Sequence, residues 1–211
     1  MKYIIMCGGN YKQWEKPRQL TEINGELLVL RTVRLLRENG VDDIYISTNH
    51  PAFYSLGVPI LRHHNDWTVY GIEDADGTWV NGFFPTEDTV CYLLGDVVFS
   101  PAAIKKIVTT NTDSIQFFAS APPFAEEYKK AYAEPFAFKV VDTQYFRACI
   151  LKVIQLENED KFERHPIAWE LWQVIKNTPL NEINYTNYVV INDYTCDIDV
   201  PDDIKNYRNI L

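Results

Sequence analysis

Residues 3–48 read YIIMCGGNYKQWEKPRQLTEINGELLVLRTVRLLRENGVDDIYIST, and their order of patterns decides the fold. YIIMC is a short apolar run that meets Gly8-Gly9, the signature of a buried strand running into a loop. Leu27, Leu28, Leu30, Val33, Leu35 and Leu36 then recur near helical spacing, and Gly40 follows as a stop signal. The spacing predicts a helix from Leu27 to Asn39, and DDIYIST predicts a second strand. A strand, a helix and another strand within fifty residues imply a right-handed crossover to a parallel neighbour, so the class is α/β.

Working outward, VPILRH reads as a third strand, and TVCYLLGDVVF (89–99) is the most apolar run of the chain, interrupted by one charge, Asp96, directly after Gly95. A carboxylate there lies at the carboxyl end of a central strand, the edge at which open α/β sheets bind ligands. PAAIKKIVTT reads as a helix opened by Pro101 and capped by Ser100. SIQFFAS and EPFAFKVV read as strands, TQYFRACILKVIQLE and HPIAWELWQVIKN as helices. TNYVVIND with YTCDID closes the sheet, and PDDIKNYRNIL reads as a terminal helix. Residues 64–88, rich in Asp, Gly and Trp and without a clean period, read as an active-site border. The expectation is one domain over 1–211, a Rossmann-like, mixed but mainly parallel sheet flanked by helices.

Composition narrows the function. A net charge of −9 argues against nucleic acid, whose phosphates need clustered Lys and Arg. No run of about 18 apolar residues exists to cross a bilayer, and the N-terminus lacks a signal peptide's apolar region. Cys7, Cys91, Cys149 and Cys196 are scattered without zinc spacing, as in a reduced cytoplasmic protein. His63-His64 read as a polar strand end, because neighbours on a strand face opposite ways.

Four acids stand out: Asp96, Glu170 beside Trp169, and Asp197 with Asp199 in the stretch DYTCDIDVPDDIKNY (193–207). Carboxylates two apart on a strand share a face and repel unless a cation lies between them. Mg²⁺ takes one or two carboxylates, with water and substrate phosphates completing its octahedron. The loop after the first strand carries Gly8, Gly9 and Asn10, with Lys12, Lys16 and Arg18 following, which combines close backbone approach with cations that can hold polyphosphate. Asp202 and Asp203 read as first-turn acids that favour a helix dipole.

Residues 3–48 also resemble the opening of the small nucleotidyltransferases: an apolar strand, a glycine loop, a Pro-Lys-x-Leu segment, an I-x-G-x-x-L lead into a helix, then a strand. LLGDVVF is similar to the segment that carries the first metal-binding Asp of that family, here Asp96, and CDIDVPDDIKNY to its late acid-x-Asp pair and closing helix. Order, spacing and length most resemble the phosphocholine cytidylyltransferase branch, in which a Trp-acid pair lies upstream of the late motif, as Trp169-Glu170 does here. Arg18 follows Pro17 where that family has Lys, and GGNYKQ stands where it commonly has Gly-x-Gly-x-Arg.

The resemblance implies a nucleotide-diphospho-sugar transferase-like fold and a Mg²⁺-dependent reaction coupling a nucleoside triphosphate, a pyrimidine in that branch, to a small phosphorylated acceptor such as phosphocholine or a sugar phosphate. In that reading Asp96, Asp197, Asp199 and Glu170 serve the metal. Arg18, Lys12 and Lys16 grip phosphate, while Gly8, Gly9, Asn10 and Gly95 lie against the nucleotide. Trp67, Trp79, Trp169 and Trp172 fit either an aromatic cage for a quaternary amine or a core. The competing expectations are a nucleotide-sugar-dependent glycosyltransferase and a degenerate nucleotide-binding module without catalysis; oligomeric state stays open.

Overall fold

The computed structural model describes residues 1–8, 14–62, 79–121 and 133–207. In chain order the strands are β1 (Lys2–Met6), β2 (Glu22–Ile23), β3 (Glu26–Leu27), β4 (Ile44–Ser47), β5 (Ile60–Leu61), β6 (Val90–Leu94), β7 (Val97–Val98), β8 (Ile115–Ser120), β9 (Pro135–Val140), β10 (Val189–Ile191) and β11 (Cys196–Asp197). The helices are α1 (Leu28–Glu38), α2 (Pro101–Thr109), α3 (Thr143–Asn158) and α4 (Ala168–Lys176). Seven strands pair in the order β10-β8-β9-β6-β1-β4-β5, and only β9 runs antiparallel to its neighbours. The α/β class and the mixed, mainly parallel sheet match the sequence reading.

β1 shows why the sheet is covered on both faces. Tyr3, Ile5 and Cys7 enter one core with α1 and α2, whereas Ile4 and Met6 enter a second core with α3 and α4. That is the period of two expected of a strand, with both faces apolar because helices cover both. α1 turns Val29, Val33 and Leu36 into the first core at helical spacing and ends where Gly40 takes a positive φ of 78°. α2 begins as its sequence predicts: the Ser100 hydroxyl accepts from Ala103 N at 2.9 Å, with Pro101 in the first turn.

One sequence expectation needs correction, the pairing of the last two strands. The chain leaves the main sheet after Leu94, turns through Gly95-Asp96, and resumes as β7 in a separate two-stranded ribbon with β11. β10 does close the main sheet beside β8, but β11 does not join it, pairing antiparallel to β7 with Asp197 opposite Val97. The expected terminal helix is a 3-10 helix over Pro201–Tyr207. Its Asp203 reaches back to accept from Asp199 N at 2.8 Å and Val200 N at 2.9 Å. His63-His64, Trp67 and Lys12 lie outside the described residues.

Lys139 is an unexpected cation on a strand buried along its whole length. Its ammonium donates to the carbonyls of Ile107, Val108 and Thr110 at 3.0, 2.9 and 2.7 Å, satisfying the C-terminal end of α2. Burial lowers its pKa from the ordinary lysine value. Lys139→Met keeps the packing stem but strands those carbonyls. A loss of about 2–3 kcal/mol is expected in urea unfolding, and a loss under about 0.5 kcal/mol would show that water replaces the ammonium.

Candidate active site

The carboxyl ends of three parallel strands set the floor. Met6 of β1 is in register with Ser47 of β4 and Leu94 of β6, so the loops leaving β1 and β6 emerge side by side. Gly95 N donates to Met6 O at 3.0 Å. A Cβ on Gly95 would lie 2.4 Å from that carbonyl oxygen and 2.7 Å from Cys7 Sγ. Glycine is therefore required for the approach of the two strand ends, which puts Asp96 near Cys7 at the end of β1. Gly95→Ala is expected to cost about 3 kcal/mol, the upper end of overpacking, because backbone carbonyls cannot step aside. Thermal unfolding checks this, and an unchanged melting temperature would show that the loop yields freely.

Arg18 is the centre of the site. It opens the 3-10 turn Arg18–Leu20 and is only 6% exposed. Nη1 donates to Ile198 O at 3.0 Å and to Asp199 Oδ1 at 3.0 Å, while Nη2 pairs with Asp96 Oδ2. One planar guanidinium thus joins the turn after β6 to the strand end after β11, 181 residues away in sequence from Arg18 itself. Of the late pair Asp197 and Asp199, Asp199 meets an arginine cation, which it shares with Asp96.

The late segment is held there by more than charge. Ile198 N donates to Asp96 O at 3.0 Å, continuing the β7–β11 ribbon. Ile198 is fully buried in a small third core with Ile23, Leu28, Val98, Cys196 and Tyr207, while Asp197 and Asp199 on either side are half-buried. That alternation is the shared face expected of residues two apart. Asp197 Oδ1 accepts from Cys196 Sγ at 3.3 Å. The indole of Trp14, packed on the third core, donates to Asp199 O at 3.0 Å. Trp14, Glu15, Lys16, Thr21, Glu22 and Pro201 line a cavity of about 650 Å³ beside Asp199, with Glu15, Lys16 and Glu22 exposed.

The third core depends on a hairpin that sequence reading left unnoticed. β2 and β3 are joined by Asn24-Gly25, both with positive φ, 51° and 82°. That is a two-residue turn whose Asn-Gly dipeptide is its own signal. The hairpin carries Ile23 into the third core and leads into α1.

The structure brings Arg18, Asp96 and Asp199 together, and Gly8 to their neighbourhood through Gln19, whose Nε2 donates to Gly8 O at 3.4 Å. Gly9, Asn10 and Lys12 lie outside the described residues. Glu170 is not brought to the pair. It is buried at the start of α4, where it accepts from Arg164 Nε at 2.6 Å and from Ile167 N at 2.9 Å and closes the first turn of its own helix. Trp169 and Trp172 are likewise core: the first donates to Ala133 O and meets Phe117, Tyr185 and Tyr188 edge-on. Of the cage alternative and the core alternative, these two indoles take the core. Cys7, fully buried beside Asp96, is a protonated thiol, its pKa raised well above the ordinary value by burial and then by the Asp96 charge.

Whether the acids suit Mg²⁺ is answered by their convergence. Asp96 and Asp199 both turn carboxylate oxygens to one guanidinium, and oxygen donors of that kind are what Mg²⁺ takes. The donor pair fits; Arg18 holds the point between them. Among the described residues no group of three or more His, Cys, Asp or Glu is placed to hold a metal ion, so phosphate and water oxygens would complete the shell.

A buried arginine and two acids meet at the carboxyl edge of a mainly parallel sheet, the edge at which open α/β sheets bind ligands. Residues 3–151 match the family model of the MobA-like NTP transferase domain, and the chain belongs to that family, a nucleotidyltransferase. No curated relative matches the chain by sequence. Among solved structures it is similar to a Bacillus anthracis protein described as a glucose-1-phosphate thymidylyltransferase, with a TM-score of 0.60 at 13% identity over 99% of this chain and 94% of that one. The inositol-1-phosphate CTP transferase of T. maritima is similar at TM-score 0.55 and 15% identity, over 96% and 90%. The CMP:2-keto-3-deoxy-manno-octonic acid synthetase solved with CTP is similar at 0.55 and 14%, over 99% and 97%. These likenesses share the fold. Among the described residues no helix is long and apolar enough to cross a membrane.

Proposed function

We propose that the chain couples a pyrimidine nucleoside triphosphate, CTP or UTP, to a small phosphorylated acceptor such as phosphocholine or a sugar phosphate, and releases pyrophosphate. The observation that carries this reading is the Arg18 guanidinium held between Asp96 and Asp199. The family assignment and the CTP-using and sugar-phosphate-using neighbours support it.

An oxygen of the acceptor phosphate attacks the α-phosphorus. The bond from that phosphorus to the oxygen bridging the β-phosphate breaks, and pyrophosphate carries the electron pair away. No protein nucleophile is needed, so the side chains act by positioning and by offsetting charge. Arg18, with its planar fork, grips the β- and γ-oxygens and steadies the leaving pyrophosphate. Lys16 at the rim and Lys12 add cationic contacts, and Gly8, Gly9 and Asn10 lie against base and ribose. Gly95 gives the nucleotide its close backbone approach. Asp96 and Asp199 would hold Mg²⁺, with Asp197 outside any three-acid group among the described residues, and the ion would supply neutralising charge at the α-phosphate. Residues 1–211 act as one catalytic domain in the reducing cytoplasm, where the buried thiols Cys7, Cys91, Cys149 and Cys196 stay free.

The test is pyrophosphate release and product mass for a panel of phosphocholine, sugar 1-phosphates and polyol phosphates against the four triphosphates with Mg²⁺. Consumption of one acceptor with CTP or UTP is expected. If no acceptor is consumed with any triphosphate, the transferase reading is overturned.

A further inference from the structure

The carboxylates best suited to a divalent ion already hold a cation of the protein's own. Arg18 is buried, bonds both Asp96 and Asp199, and is anchored independently by its donation to Ile198 O. A guanidinium and a magnesium ion cannot share that point: each would sit within a few ångströms of the other, and like charges repel strongly where water is excluded. Two carboxylates against one guanidinium leave a single net negative charge, half of what an open pair would offer a metal.

The partner that can draw Arg18 off is polyphosphate. Its oxygens accept the same bidentate fork as carboxylate and carry more charge. The cavity lined by Trp14, Glu15, Lys16, Thr21, Glu22 and Pro201 adjoins Asp199 through Trp14, and among the described residues Lys16 is its one cation beside the two exposed acids Glu15 and Glu22. We propose that Arg18 is a resident counter-cation that keeps the Asp96–Asp199 seat closed to divalent metal until a polyphosphate takes its guanidinium. Metal then enters with the triphosphate and not before it. The inference rests on the nucleotidyl-transfer reading for the identity of the polyphosphate, but the closure itself is tested on the metal alone, so the two can fail separately.

The experiment is titration of the nucleotide-free chain with Mn²⁺, followed by electron paramagnetic resonance, on the wild type and on Arg18→Gln. Wild type is expected to show no site at Asp96–Asp199. Arg18→Gln is expected to bind roughly tenfold or more tightly, since an interior like charge has been removed, and to lose that site when Asp199→Asn is added. Equal Mn²⁺ binding by wild type and Arg18→Gln, or no gain in a folded Arg18→Gln, overturns the proposal. Should Arg18→Gln fail to fold, Arg18→Lys serves, because a single ammonium does not span both carboxylates as the fork does, and a gain in Mn²⁺ affinity is again required. Paramagnetic broadening of the Ile198 and Asp199 amides decides the matter on wild type itself: broadening by Mn²⁺ alone overturns closure. Broadening by Mn²⁺ only after metal-free pyrophosphate has shifted the Arg18 side-chain resonances supports it.

Discussion

Arg18→Met is expected to lower stability by about 3–5 kcal/mol, the cost of breaking a buried ion pair from one side. The two halves of the bridge are not equal. Asp199 is 46% exposed at its side chain, and its half alone is worth about 1 kcal/mol or less. Asp96 is 15% exposed, and with Arg18 gone its charge loses the cation beside it. The lost donation to Ile198 O also loosens the end of β11. Against a total of about 5–15 kcal/mol for a domain of ordinary stability, this is a large fraction. The melting temperature should fall by roughly 6–20 °C. Adding Asp96→Asn to Arg18→Met separates the causes. If the stranded carboxylate carries the cost, the double variant recovers most of the loss; if it recovers nothing, the cost lies in the packing of the arginine stem.

Much of the frame was legible because it is written in local periods. The helical spacing of Leu28, Val33 and Leu36, the Gly40 stop and the Ser100 cap each act within a few residues, and the observed α1 and α2 bounds follow them closely. Asp96 was legible as a lone charge at the end of an apolar run, and the shared face of Asp197 and Asp199 as a period of two. What was not legible is long-range pairing. Nothing local shows that VV after Asp96 prefers Cys196-Asp197 to a continuation of β6, because the choice is made by the third core, assembled from Ile23, Leu28, Val98 and Ile198. Nor does sequence show that Arg18 finds a backbone acceptor at Ile198, 180 residues on. Glu170 illustrates the converse: its capping position three residues after Ile167 is a local pattern, and its family resemblance drew it toward the metal instead. The hairpin was missed although Asn24-Gly25 announces it, since two-residue strands carry no period to flank the turn.

Asp96→Asn should reduce turnover by about 10²–10³-fold, the usual loss when one preorganised charge is removed from an active site. The substitution keeps shape, and the Asp96 carbonyl still accepts from Ile198 N, so the β7–β11 ribbon survives. What disappears is the negative charge that sets Arg18 in place and would help to hold the metal. The fold should lose less than in Arg18→Met, because Arg18 keeps Asp199 and the Ile198 carbonyl as partners. A fall in kcat in a variant that still melts cooperatively well above the assay temperature therefore separates chemistry from folding. Asp202→Asn is the matching control: an acid of the same segment, exposed and paired only at the surface with Lys205, it should change neither quantity. If Asp96→Asn keeps turnover within about threefold of wild type, Asp96 carries none of the charge stabilisation expected of it. The site would then depend on Arg18 and the lysines of the glycine loop alone.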